Sequence, residues 1–193
     1  MVFPYSHVTL AVLIALSLFC MSSANAQTAR SLHQFSSTQE AANWQIVNDG
    51  VMGGRSSSQA TITTDGKLRF TGNLSLENNG GFASVRSRPN GQLLGLAAGN
   101  SIVLRVKGDG RKYTFNLYTP ERRTAFSYQM NFSTINGQWT EVRLPVSQFV
   151  AHSFGRPIPS MRLNLSQVQA IGILLGDKRP GPFQISVDWI NVQ

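Results

Sequence analysis

Cysteine is almost missing from this sequence: 193 residues contain one, Cys20, in an apolar stretch near the start. Beyond residue 26 there is none, which excludes a disulfide scaffold, a thiol nucleophile and any cysteine-based zinc or iron–sulfur centre. Histidine is scarce too, with only His33 and His152 after His7, so neither a histidine-rich metal site nor a cofactor is expected. Charged residues make up 13% of the chain against 41% hydrophobic, the opposite of a disordered composition. The chain also lacks G-x-G-x-x-G, the phosphate-binding G-x-x-x-x-G-K-[ST] and the nucleophile elbow G-x-S-x-G. Dinucleotide, P-loop and α/β-hydrolase chemistry therefore have no foothold. Acidic residues are few as well, 9 against 17 basic, giving a net charge of +8. The basic set is 13 Arg and 4 Lys, and arginine makes forked contacts to carboxylate or phosphate.

What is present begins with an apolar run over residues 8–21, followed by Ala24-Asn25-Ala26. An h-region of that length and an A-x-A site describe a secretory signal peptide. The expectation is a signal peptide at 1–26, cleaved after Ala26, and one domain at 27–193, exported to a periplasm or secreted. Neither Lys nor Arg precedes the run, and a retained N-terminal membrane anchor is the alternative, which needs about 20 apolar residues. A single domain of this size hides enough surface to fold without staples.

Apolar residues past the leader recur with period two. Ile102, Leu104 and Val106 alternate with polar or opposite-facing neighbours, as do Tyr113, Phe115 and Leu117, and Phe126, Tyr128, Met130 and Phe132. Half-buried strands require that alternation. Further strands are expected over 57–64, 67–72, 82–88, 139–144, 169–176 and 183–192, about eight to ten in all. Asp65-Gly66, Asp109-Gly110 and Asn136-Gly137 read as hairpin turns. Helix signals are weak, with one short turn at 37–42 and another at 146–150. Residues 147–166 lack periodicity and are expected to form a long loop. Such a pattern describes an all-β, two-sheet β-sandwich of jelly-roll type.

Three blocks stand out. Trp44-Gln-Ile-Val-Asn48-Asp49-Gly50-Val-Met-Gly53-Gly54-Arg55-Ser56 combines a strand end with a glycine-rich turn. Leu74 to Arg86 contains Asn78-Asn79-Gly80-Gly81-Phe82-Ala83-Ser84, and Gly172 to Phe183 runs into Ile185-Ser-Val-Asp188-Trp189-Ile190. Together with Leu144-Pro145, Phe149 and Gly155-Arg156, these blocks resemble the family of complex I intermediate-associated protein 30 over residues 32–192. The resemblance implies a galactose-binding-domain-like sandwich and, for mitochondrial members, a chaperone-like role in assembling respiratory NADH:ubiquinone oxidoreductase. It implies no active site.

Read residue by residue, the carboxylates Asp49, Glu77, Asp177 and Asp188 do not form an evident acid–base pair. Asp49 reads as a turn former and Asp188 as a solvated or salt-bridged strand residue. His152 beside Ser153 has no elbow to act on. The expectation is a non-catalytic binding or assembly module, not an enzyme. Its partner is expected to be a protein, a subunit of a respiratory or envelope complex; an acidic glycan or anionic membrane surface would suit the charge. Nucleic acid is not expected, because no recognition helix or RNA-binding signature is present. A carbohydrate-binding module of the cell envelope is the alternative function, with Trp44, Tyr118, Trp139 and Trp189 as stacking candidates. Binding residues are expected among Asn48, Asp49, Arg55, Asn79 and Arg86, and in the Arg122-Arg123 pair. Asn73, Asn131 and Asn164 head N-x-[ST] sequons.

Overall fold

The computed structural model describes Met1, residues 29–121 and residues 125–193. The expected signal peptide and cleavage site lie outside the described residues, as do Arg122 and Arg123. Thirteen strands are present among the described residues: β1 Arg30–Gln34, β2 Trp44–Asn48, β3 Ser57–Ile62, β4 Leu68–Leu74, β5 Ala83–Ser87, β6 Ser101–Lys107, β7 Lys112–Tyr118, β8 Phe126–Ser133, β9 Trp139–Pro145, β10 Val150–Ser153, β11 Arg156–Pro157, β12 Ala170–Leu175 and β13 Gly181–Val192. They form two antiparallel sheets. One has the order β3-β4-β13-β6-β9 with β1 also on β13; the other has the order β11-β10-β8-β7-β12-β5-β2.

The two sheets bury their facing sides against each other, which is what the period-two pattern requires. Leu68, Phe70, Ile102, Leu104, Ile185 and Val187 from the first sheet meet Val85, Tyr113, Phe115, Leu117, Ile171 and Ile173 from the second. All are essentially inaccessible to water. The long strand β13 organises the first sheet, pairing with β6 along one side and with β4 and then β1 along the other. Its register against β6 shifts between Val187 and Trp189, a bulge that breaks the alternation. Asp188 is thereby turned toward Lys67 and Arg105, 2.9 and 3.1 Å away. It is a salt-bridged strand residue, as expected.

Two expectations change. Only Asp65-Gly66 closes a hairpin, between β3 and β4. Asp109-Gly110 links β6 to β7 and Asn136-Gly137 links β8 to β9, and each connection crosses from one sheet to the other. These two corners touch, with Gly137 N–H donating to Gly108 O at 2.9 Å. The 147–166 segment is not a plain loop. It contains the β10–β11 hairpin, which extends the second sheet by pairing β10 with β8. Short 3-10 turns at Thr38–Asn43 and Val146–Gln148 occupy the two places where helical signals were weak.

Candidate functional site

At one end of the sandwich β2 stops at Asn48, and the chain makes a 3-10 turn over Asp49–Met52 closed by Gly53 in the left-handed region. Asp49 has no accessible surface. Its carboxylate accepts from Ser56 N–H at 2.9 Å and Ser56 Oγ–H at 2.5 Å, closing its own loop. It also accepts from Gly81 N–H at 2.6 Å and Phe82 N–H at 3.2 Å, reaching across to the loop between β4 and β5. Burial alone would push this carboxyl up, but the donations from the Ser56 side chain and from the Gly81, Ser56 and Phe82 backbone outweigh it and hold its pKa below the ordinary value. Asp49 does form a turn, but its principal work is long-range: one carboxylate ties two loops together.

The glycines around it are explained by that tie. A Cβ on Gly54 would lie 2.4 Å from Asp49 Cγ, and one on Gly80 would lie 2.6 Å from Asp49 Oδ2. Neither position has room for a side chain while the carboxylate is in place. Asn78 and Asn79 follow with φ of 54° and 58°, a left-handed conformation that asparagine tolerates better than most residues. The asparagine pair thus has a backbone role. Ser75 N–H donates to Ser56 Oγ at 3.0 Å, adding a second link between the loops. On the surface Arg55 pairs with Glu77 at 2.9 Å; both are well exposed, so the pair is worth at most about 1 kcal/mol. Asn48 Oδ1 accepts from Ser58 Oγ at 2.7 Å.

Beside that ion pair the pinned loops also present apolar side chains to solvent. Val51 and Met52 are 74% and 49% exposed, and Leu76 on the facing loop is 43% exposed. Of the expected binding residues, Asn48, Asp49, Arg55 and Asn79 therefore meet at one end. Arg86 does not join them. It sits in the middle of β5, opposite Gln45 and Gly172, with its guanidinium 5.2 Å from the centre of the Tyr118 ring. Burial pushes the Tyr118 hydroxyl up to about 12, with Arg86 acting in the other direction.

Arg111, next to the Asp109-Gly110 corner, is buried. Its Nε and Nη2 reach the two Asp177 oxygens at 3.0 and 2.6 Å, and Nη1 donates to Pro182 O at 3.1 Å. Nη2 also donates to Arg179 O. Burial raises the Asp177 pKa, and the Arg111 hydrogen bonds bring it below normal. This pair clamps the loop between β12 and β13. His33 packs 5.0 Å from the Trp44 ring, and burial lowers its pKa against the opposing pull of Glu40. His152 Nδ1 lies 2.9 Å from Val150 O. Trp44 is core, whereas Trp139 lies half-buried on the outward side of the first sheet, with Arg105 and Lys107 over its ring. Among the described residues, no group of three or more His, Cys, Asp or Glu side chains is placed to hold a metal ion.

The model of the family described as complex I intermediate-associated protein 30 matches residues 33–187. The chain belongs to that family. The mouse protein named "Complex I intermediate-associated protein 30, mitochondrial" is 28% identical over 186 residues, covering 86% of this chain and 56% of its own length. A Caenorhabditis elegans protein with the same name, qualified as probable, is 34% identical over 97 residues, or 47% of this chain and 28% of its own. The chain thus spans about half or less of the curated relatives it matches. Among solved structures, a family 11 carbohydrate-binding module from Clostridium thermocellum, in complex with a mixed-linked tetrasaccharide, superposes with a TM-score of 0.62 at 15% identity. The match covers 85% of this chain and 94% of that one. An agarase matches with a TM-score of 0.58 at 11% identity, over 86% of this chain and 24% of that one. These likenesses establish a jelly-roll β-sandwich and carry no more than the fold. Among the described residues, no helix is long and apolar enough to cross a membrane.

Proposed function

We propose that this chain is a non-catalytic binding module of the assembly-factor type, acting on a protein partner. The observation that carries this reading is family membership along nearly the whole described domain. The pinned end of the sandwich supports it with a surface: Val51, Met52 and Leu76 are exposed on loops that the Asp49 carboxylate ties together. Pre-ordered apolar side chains lose little entropy on docking, which favours a partner contact there. The titratable groups around them are engaged in structure: Asp49 by backbone donors, Glu77 by Arg55 and Asp177 by Arg111.

The test is in-cell photo-crosslinking in the native host, with a crosslinker at Met52 and a control at the exposed edge-strand residue Glu141. A respiratory-complex subunit captured from Met52 and not from Glu141 is the expected result. Absence of any Met52-specific partner would overturn the reading. The same experiment reports the compartment, since export is our proposal while the relatives are mitochondrial by name.

A carbohydrate reading is favoured by one observation. On the outward side of the second sheet Gln129 donates to Ser127 and Ser127 to Asn116, at 3.0 and 2.9 Å, beside Arg86 on Tyr118; Asn116 and Ser127 are buried, so a sugar would meet only the half-buried Gln129, Arg86 and Tyr118. A glycan array without binding removes it.

A further inference from the structure

At the end of the sandwich opposite Asp49, a pocket of about 420 Å³ opens between β1 and the segment 88–94. Arg30 and Arg88 both line it. Each guanidinium is held by neutral acceptors: Arg30 Nη2 by Leu94 O and Gly95 O, Arg88 Nε by Ala42 O at 3.1 Å and its Nη1 by Gln45 Oε1 at 3.3 Å. Among the described residues, no carboxylate is part of the lining. Glu40, whose charge reaches His33, lies outside it and accepts from Ser36 Oγ at 3.0 Å. Burial holds the pKa of His33, which also lines the pocket, below the ordinary histidine value, against the opposing pull of Glu40. Elsewhere, Arg55, Arg105 and Arg111 each reach a carboxylate. Two exposed guanidiniums that share one concavity, are anchored on neutral oxygens and have no carboxylate partner among the described residues are a different arrangement.

We infer that this pocket binds a small oxyanion, a phosphate or carboxylate group on a compact molecule. The guanidinium fork matches two oxygens at once and is already oriented by its carbonyl anchors, so little ordering is left to the ligand. Gln169 and Asn43 add amide donors to the lining, and Leu32 and Leu94 add apolar wall. The volume falls within the range of small-molecule sites. This inference is independent of the proposed partner surface, which uses other residues at the other end.

The experiment is titration of the purified protein with inorganic phosphate and with citrate, followed by calorimetry and amide NMR, at constant ionic strength set with chloride. Saturable binding is expected, with amide shifts centred on Arg30, Arg88, Leu94 and Gln169. Arg30→Gln and Arg88→Gln should each weaken it tenfold or more, and Arg88→Lys should weaken it less. Arg105→Gln, on the outward face of the first sheet, should leave it unchanged. Preference for phosphate points to a phosphate ester and preference for citrate to a polycarboxylate. Failure of both anions to saturate, or equal binding by folded Arg30→Gln and Arg88→Gln, overturns the inference.

Discussion

Replacing Asp49 with alanine removes the acceptor of four hydrogen bonds at a position with no accessible surface. Three of the four donors are backbone N–H groups that cannot turn elsewhere. A hydrogen bond to a charged group is worth about 1.5–3 kcal/mol net, but the contributions are not additive, because water enters the space vacated by the carboxylate. A loss of about 3–5 kcal/mol is therefore expected for Asp49→Ala, since each buried donor left unsatisfied costs about 1–3 kcal/mol and entering water recovers part of the sum. Against a total stability of about 5–15 kcal/mol, that corresponds to a fall in Tm of about 6–20 °C for a domain of this size. Asp49→Asn keeps the shape but turns an amide donor toward donors, and should cost about 2–4 kcal/mol.

Proton linkage gives a second signature. The folded-state pKa of Asp49 lies below its ordinary value, so its stabilisation is fully present above the unfolded pKa of about 3.9. It is lost as pH falls through the folded value. The stability gap between wild type and Asp49→Asn should accordingly narrow as pH drops below about 4. Urea denaturation followed by fluorescence of the buried Trp44 on the adjoining strand measures both effects, with Glu141→Gln as an exposed control. An Asp49→Ala protein within about 1 kcal/mol of wild type, where a genuine network loss should exceed it, would refute the account of these loops. So would a gap that does not change with pH.

The glycines around Asp49 and the separate Arg111–Asp177 pair are testable in the same way. Gly54→Ala and Gly80→Ala place a methyl against the Asp49 carboxylate and should each lose about 2 kcal/mol or more. Gly50→Ala, with nothing within 4 Å, should stay within about 0.5 kcal/mol of wild type by thermal denaturation. Arg111→Met leaves the Asp177 carboxylate without its partner and should cost about 3–5 kcal/mol in urea, part of which the double variant Arg111→Met with Asp177→Leu recovers.

The strands with one buried face were legible because burial on one side enforces alternation: β6, β7 and β8 announce themselves through Ile102, Tyr113 and Tyr128. β1, β10 and β11 did not, since Arg30-Ser-Leu-His-Gln34 and Val150-Ala-His-Ser153 carry too few apolar residues. Those strands exist through pairing with β13 and β8. Turn chemistry was read correctly as chemistry and wrongly as topology. Asp109-Gly110 and Asn136-Gly137 do reverse the chain, yet a dipeptide holds no information about which sheet the next strand joins. Asp49 likewise advertised a turn, while its partnership with Gly81, 32 residues on, is written only in the folded arrangement.

The net charge of +8 suggested a basic face for an acidic partner, and the placement of the arginines argues otherwise. With so few carboxylates to pair with, the guanidiniums serve as donors to whatever oxygen is near. Arg69 reaches the Gln184 amide and Arg143 that of Gln193, while Arg111 collects Asp177 and backbone carbonyls in the interior. Arg86 lies on an aromatic ring, and Arg105 shares Asp188 with Lys67. Lysine, with a compact ammonium and no fork, would serve poorly as such a multi-oxygen bracket, which gives a physical reason for 13 Arg against 4 Lys. Charge spread over both sheets and both ends makes weak long-range steering compared with a single concentrated stripe. Recognition is better sought at the apolar side chains above Asp49 and at the far-end pocket, where Arg30 and Arg88 are anchored on neutral oxygens and, among the described residues, pair with no carboxylate.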